Sequence, residues 1–334
     1  MTKKIALEEA LSAPSTEPYL QITMQVVDEQ SRADFANKLE DSDQRIAAMD
    51  AAGIDLFVLS QTSPGVQAEK DAAVAVRRAA EANDYMKGLV DQHPDRYRAF
   101  AHLPMQNVTA AAAELQRCVQ DLGFCGAMIN GNTNGVYLDD PCYLPFWERV
   151  AELDVPVYIH PANPLMQPWV LEGYPILQGS LWGWSTDNSS HFLRLLFSGL
   201  FDRYPALTII LGHMGETLPY FLWRIDSRYA VTNSADKPPL QKTPSDYFRS
   251  NLIITTTGVC QDSSLQCAIA EMGEDRVLFS VDYPYEDATQ AAQWIDTTPL
   301  SDDQREKICY RNAERVLKLD ATVSTASSTS AAVV

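Results

Sequence analysis

No apolar stretch in this chain approaches the roughly 18 residues of a membrane-spanning helix. There is no G-x-G-x-x-G or G-x-x-x-x-G-K loop, so a nucleotide has nothing to cradle its phosphates. The G-x-S-x-G turn that exposes a hydrolase serine is missing as well. Six cysteines, Cys118, Cys125, Cys142, Cys260, Cys267 and Cys309, show no zinc-finger spacing and read as reduced, mostly buried thiols. Basic residues are scarce, 26 against 44 acidic, and the resulting charge of −18 disfavours nucleic-acid and anionic-membrane partners. It says little about an anionic substrate, because a bound cation can dominate the field at a site. Met1-Thr2-Lys3-Lys4 runs straight into the first apolar segment, which predicts a cytoplasmic protein. The triplets Asn107-Val108-Thr109 and Asn188-Ser189-Ser190 then read as chance matches to a glycosylation signal.

What the chain does have is eight short apolar runs. They lie at 4–7, 55–60, 98–103, 125–129, 155–159, 208–212, 252–256 and 277–281, with segments of helical spacing between them, clearest at 43–50 and 70–86. Continuous apolar runs are the mark of strands buried on both faces, and βα alternation makes the sheet parallel. Eight such units predict a (β/α)8 barrel, one catalytic domain over 1–319; pattern alone leaves an open doubly wound sheet as the alternative. Gly53, Gly123 and Gly273 each follow a helical run and suit left-handed caps. From Asp320 to Val334 the chain is small and polar and reads as a disordered tail without a catalytic role.

Polar residues that can do chemistry stand where these runs end. Glu8 follows the first run, His160 the fifth, His213 the sixth and Asp282 the eighth. In a closed barrel these positions share one rim, and two imidazoles with two carboxylates are donors that a catalytic divalent metal takes. Glu8, His160 and Asp282 are the expected ligands. In Gly212-His213-Met214-Gly215-Glu216 the spacing lets Glu216 fold back on the imidazole and fix its tautomer, the alternative being a glutamate that serves a helix N-terminus. His93, His102 and His191 read as structural. Trp182 and Trp184, in the loop after the fifth strand, are candidates to wall an aromatic pocket.

The stretches Ile5-Ala6-Leu7-Glu8-Glu9-Ala10, Tyr158-Ile159-His160-Pro161, Gly212-His213-Met214-Gly215-Glu216 and Ser280-Val281-Asp282-Tyr283-Pro284-Tyr285-Glu286 resemble the metal-dependent decarboxylase branch of the amidohydrolase superfamily. The chain looks most like the 2,3- and 2,6-dihydroxybenzoate (γ-resorcylate) decarboxylases of that branch, from Lys3 to about Leu319. The resemblance implies that Glu8, His160 and Asp282 hold the metal and that Asp282 also protonates the substrate carbon. It implies that His213, supported by Glu216, contacts the phenolic side, with Asn130, Trp184 and Arg224 around the pocket. Ala10 stands where many amidohydrolases have the second histidine of His-x-His, so one metal per subunit is expected, zinc first and manganese or magnesium as fits, without an organic cofactor. A small aromatic acid is the implied substrate and a homo-oligomer, dimer or tetramer, the implied assembly. A mononuclear lactone or amide hydrolase, or a barrel that only binds, remains as the alternative.

Overall fold

The computed structural model describes residues 2–24 and 27–319, and the expected tail at 320–334 lies outside the described residues. All eight expected strands form, as nine segments: β1 Ile5–Leu11, β2 Leu56–Gln61, β3 Tyr97–Ala99, β4 Ala101–His102, β5 Ala127–Asn130, β6 Val157–His160, β7 Ile209–Leu211, β8 Leu252–Thr255 and β9 Val277–Leu278. Every pairing is parallel, in the order β1-β2-β3 and β4-β5-β6-β7-β8-β9. The two rows join because β3 and β4 are one strand interrupted at Phe100. Its amide still reaches Leu59 O at 2.9 Å, and that of Ala101 reaches Gly126 O at 2.8 Å. At the other seam the closure combines a side chain with backbone: Leu7 N and Glu8 N donate to Ser280 Oγ, and Ala10 N donates to Tyr283 O. The molecule is a (β/α)8 barrel.

Alternation along the strands sorts the apolar residues into two layers. Leu7, Val58, Phe100, Met128, Tyr158 and Ile210 fill the barrel interior, and Ala313 and Leu317 of the last helix close its lower end. A larger layer packs the outward strand faces against helices such as Ala72–Gln92 and Val108–Gln120. Each fully buried Leu, Ile or Phe contributes roughly 1.5–3 kcal/mol, so this double layer is what holds the rim residues in register. The expected caps divide. Gly53 ends the helix Ser42–Ala52 in the left-handed region, φ 64 and ψ 42. Gly273 ends Asp262–Met272 at φ 90 and ψ 147, outside it, and Gly123 follows a helix already capped by Asp121.

His102 and His191 are structural, as expected. Each accepts a backbone N–H at Nε2, from Val66 at 2.9 Å and from Leu138 at 3.0 Å, and burial pushes both rings down to about 3. Between that value and the unfolded value near 6.5, only the unfolded chain takes up the proton, so stability falls as pH falls through this window. At pH 5 each ring should cost ~2 kcal/mol. The melting temperature is therefore expected to drop between pH 7 and pH 5, and less steeply in His102→Gln, which is less stable at pH 7 but carries one fewer latent charge. Parallel slopes for the two proteins would refute the assignment.

Candidate active site

The rim collects four of the expected residues. Glu8, His160 and Asp282 each offer a ligand atom, and these atoms lie within 4.8 Å of one another. His160 Nε2 is 3.2 Å from Glu8 Oε1, and His213 Nε2 stands 3.8 Å from Glu8 Oε1 and 3.7 Å from Asp282 Oδ2. Glu8 Oε1 is buried with no hydrogen-bond donor among the described residues, a costly state for a carboxylate oxygen that a cation would relieve. Burial pushes the Glu8 carboxyl up to about 8, against the pull of His213 and with the push of Asp282. Burial and the His213 charge hold His160 down to about 4, a neutral imidazole. Two carboxylates and a neutral imidazole fit a divalent ion.

Each of these side chains is held from behind. Glu8 Oε2 accepts from the Tyr158 hydroxyl, which also meets Thr255 Oγ1 at 2.9 Å in the barrel interior. Gly212 makes this approach possible, since a Cβ there would sit 2.5 Å from Glu8 Oε2. His213 Nδ1 lies 2.8 Å from Glu216 Oε1, and Asn188 Nδ2 donates to the same oxygen at 3.1 Å. Burial disfavours charge on His213, but Glu216, Glu8 and Asp282 outweigh it and lift the imidazole well above its ordinary value. His213 through Thr217 all take positive φ, from 49 to 76 degrees, so the segment is a left-handed turn. A right-handed helix N-terminus for Glu216 is thereby ruled out, and the glutamate's partner is the imidazole.

A cavity of about 210 Å³ opens beside this cluster, lined by His160, Trp184, His213, Asp282 and Tyr285, with Met24, Val27 and Phe35 as an apolar wall. Trp184 belongs to the helix Gly183–Phe197 instead of a loop, and its ring stands edge-on to His160 with centroids 6.1 Å apart. Trp182 is half-exposed and does not line the cavity. Asn130 ends β5, fully buried, and sits behind the wall: its amide donates to Gln61 O and Thr62 O at 3.2 and 3.4 Å. Arg224 is exposed on the helix Leu222–Ala230 and is not brought to the cavity within this chain. A second cavity, about 180 Å³ near Pro156, Arg276 and Arg315, carries none of the rim cluster.

The sequence reading missed Tyr158, Thr255, Asn188, Tyr285 and the apolar wall. Tyr158 had a signal, since strand periodicity puts it on the same inward face as His160. Asn188 had only a misleading one, its glycosylation triplet, whereas in the fold it is fully buried. Met24, Val27 and Phe35 come from the long excursion after β1, which no local pattern ties to the rim.

Comparison with known proteins finds relatives along nearly the whole chain. The amidohydrolase family model matches residues 23–319. The γ-resorcylate decarboxylase of Polaromonas sp. (strain JS666) is 44% identical over 328 residues, 96% of this chain and 100% of its own length. A crystal structure of 2,6-dihydroxybenzoate decarboxylase complexed with 2,6-dihydroxybenzoate superposes with a TM-score of 0.90 at 43% identity, over 95% of this chain and 100% of that one. The Polaromonas dihydroxybenzoic acid decarboxylase, solved with bound manganese and the inhibitor 2-nitroresorcinol, gives 0.91 at 43% identity over 96% of this chain and 98% of that one. With the family model matched over most of the chain and relatives aligned over nearly its whole length, this chain belongs to the amidohydrolase family.

Proposed function

We propose that the chain is a metal-dependent carboxy-lyase that converts an ortho-hydroxybenzoate, 2,6-dihydroxybenzoate before 2,3-dihydroxybenzoate or salicylate, to the phenol and CO2. The observation that carries this reading is the convergence of Glu8, His160 and Asp282 beside an aromatic-walled cavity. The ligands of the two solved relatives, 2,6-dihydroxybenzoate and 2-nitroresorcinol, are planar rings that suit such a cavity. Glu8, His160 and Asp282 would hold one divalent ion, which supplies positive charge to the substrate carboxylate and ortho phenolic oxygen. Zinc, the first expectation, yields to manganese as the ion to load, because a relative holds it and two carboxylates with one imidazole are hard enough for it.

The protein groups do the proton work. Asp282 delivers its carboxyl proton to the ring carbon that bears the carboxylate. As that C–H bond forms, the C–C bond to the carboxylate breaks, its electron pair returns to the ring and CO2 leaves. Asp282, now a carboxylate, recovers a proton from solvent. Glu216 occupies His213 Nδ1, which leaves the Nε2 proton to bond a phenolic oxygen. Met24, Val27 and Phe35 keep water from the ring. Trp184 packs against its edge beside His160, and Asn130 braces the Thr62 wall from behind. Arg224 has no place in this scheme within one chain.

The same reading makes the protein a single catalytic barrel that works in the cytoplasm as a homo-oligomer. No helix among the described residues is long and apolar enough to cross a membrane. The segments after the adjacent strands β6 and β7, the second running into the helix Leu222–Ala230, leave Trp169, Tyr220 and Trp223 85, 80 and 77% exposed. Aromatics of roughly 150–250 Å² each are costly to leave in water, and a second copy would cover them.

A substrate panel tests the proposal. Moving the hydroxyl from ortho to para keeps its electronic push but removes the two-oxygen grip on the metal. The manganese-loaded protein is expected to release CO2 from 2,6-dihydroxybenzoate or 2,3-dihydroxybenzoate but not from 4-hydroxybenzoate, and to leave simple lactones intact. Light scattering of the same sample should read two or four copies of the 37.1 kDa chain. Comparable turnover of the para isomer, or lactone hydrolysis alone, would sink the reading.

A further inference from the structure

Glu9 is fully buried beside Glu8, does not line the cavity and has no part in the proton transfers above. β1 carries a bulge here: Ala6 pairs with Phe57 and Glu9 with Leu59, so Leu7 and Glu8 together oppose Val58. A bulge re-aims neighbouring side chains and brings consecutive amides toward one side of the strand. Both of those amides reach one acceptor, with Leu7 N at 3.2 Å and Glu8 N at 2.8 Å from Ser280 Oγ. Ser280 Oγ donates a hydrogen bond to Glu9 Oε1 at 3.0 Å, which uses the hydroxyl's full capacity of two accepted bonds and one donated. Glu9 Oε1 also accepts Val281 N at 3.0 Å, and Oε2 accepts Tyr283 N at 3.1 Å. The carboxylate thus grips the residues on either side of Asp282, whose φ of 86 is a left-handed conformation that a non-glycine residue holds only when its surroundings fix it.

We propose that Glu9, acting with Ser280, is the positioning residue of the metal centre, locking Glu8 and Asp282 from opposite sides of the barrel seam into one geometry. The proposal rests on the reading of Glu8 and Asp282 as ligands. Three donors converge on Glu9, and its two carboxyl oxygens accept them all. Glutamine has one acceptor oxygen and must aim its NH2 at either the Tyr283 amide or the Ser280 and Val281 donors. Outer partners of metal ligands typically govern 10- to 100-fold in affinity.

Chelator-stripped full-length protein is titrated with Mn2+, following free Mn2+ by electron paramagnetic resonance and folding by circular dichroism. Glu9→Gln is expected to weaken Mn2+ binding roughly 10- to 100-fold and, at saturating Mn2+, to lower kcat with KM little changed. Ser280→Ala, which keeps the Val281 and Tyr283 bonds but releases the Leu7 and Glu8 amides, should weaken Mn2+ about tenfold and carries the decision alone if Glu9→Gln does not fold. Parent protein that binds Mn2+ tightly, beside folded variants within twofold of its Kd, overturns the positioning role and leaves the ligand reading standing. Parent protein that fails to bind one Mn2+ per subunit overturns both.

Discussion

Asp282→Asn is expected to lower kcat for 2,6-dihydroxybenzoate by roughly 10⁴, the upper end of what an acid-base group supplies. The substitution removes the proton that must reach the ring carbon and, in the same stroke, exchanges a carboxyl ligand for an amide that has no such proton to give. Asparagine is also tolerated at positive φ, so the left-handed turn at this position survives and loss of fold does not explain the loss of rate. Steady-state kinetics with excess Mn2+ and circular dichroism on the same sample check this. A folded Asp282→Asn protein with a tenth or more of the parent rate would show that the proton comes from elsewhere.

His213→Ala is the second large effect and separates acid-base support from metal binding. His213 lies outside the three-residue ligand set but within 3.8 Å of Glu8 and 3.7 Å of Asp282. Its loss should leave one Mn2+ per subunit and reduce turnover by roughly 10² to 10⁴. Glu216, left buried with its Asn188 bond but without the imidazole, should also make the variant less stable. Elemental analysis beside kinetics reads the outcome. Loss of the metal together with the rate would place His213 among the ligands.

The parts of this site legible in the sequence are those set by strand ends. Buried parallel strands leave continuous apolar runs, and the barrel puts whatever follows them on one rim, which is how Glu8, His160, His213 and Asp282 could be gathered before any geometry was known. Strand edges were less legible: β3 and β4 break at Phe100, and the last two strands stop short of their apolar runs where the Thr256 side chain takes over the bonds to Ser280 N and O. The paired role of Glu9 was hidden because the bulge in β1 changes which way consecutive residues face, and simple alternation cannot register it. Arg224 stands on resemblance alone, and its exposed place on the Leu222–Ala230 helix depends on packing that no local pattern encodes. The wall made by Met24, Val27 and Phe35 depends on how a long excursion folds back, which is likewise a tertiary fact.

The most direct measurement is the product balance of 2,6-dihydroxybenzoate turnover by protein stripped with chelator and reloaded with Mn2+. The reloaded protein should give equimolar CO2 and resorcinol with activity that saturates at one Mn2+ per chain, and the stripped sample should give none. Full turnover without metal, saturation at two ions per chain, or intact substrate under every condition would contradict it.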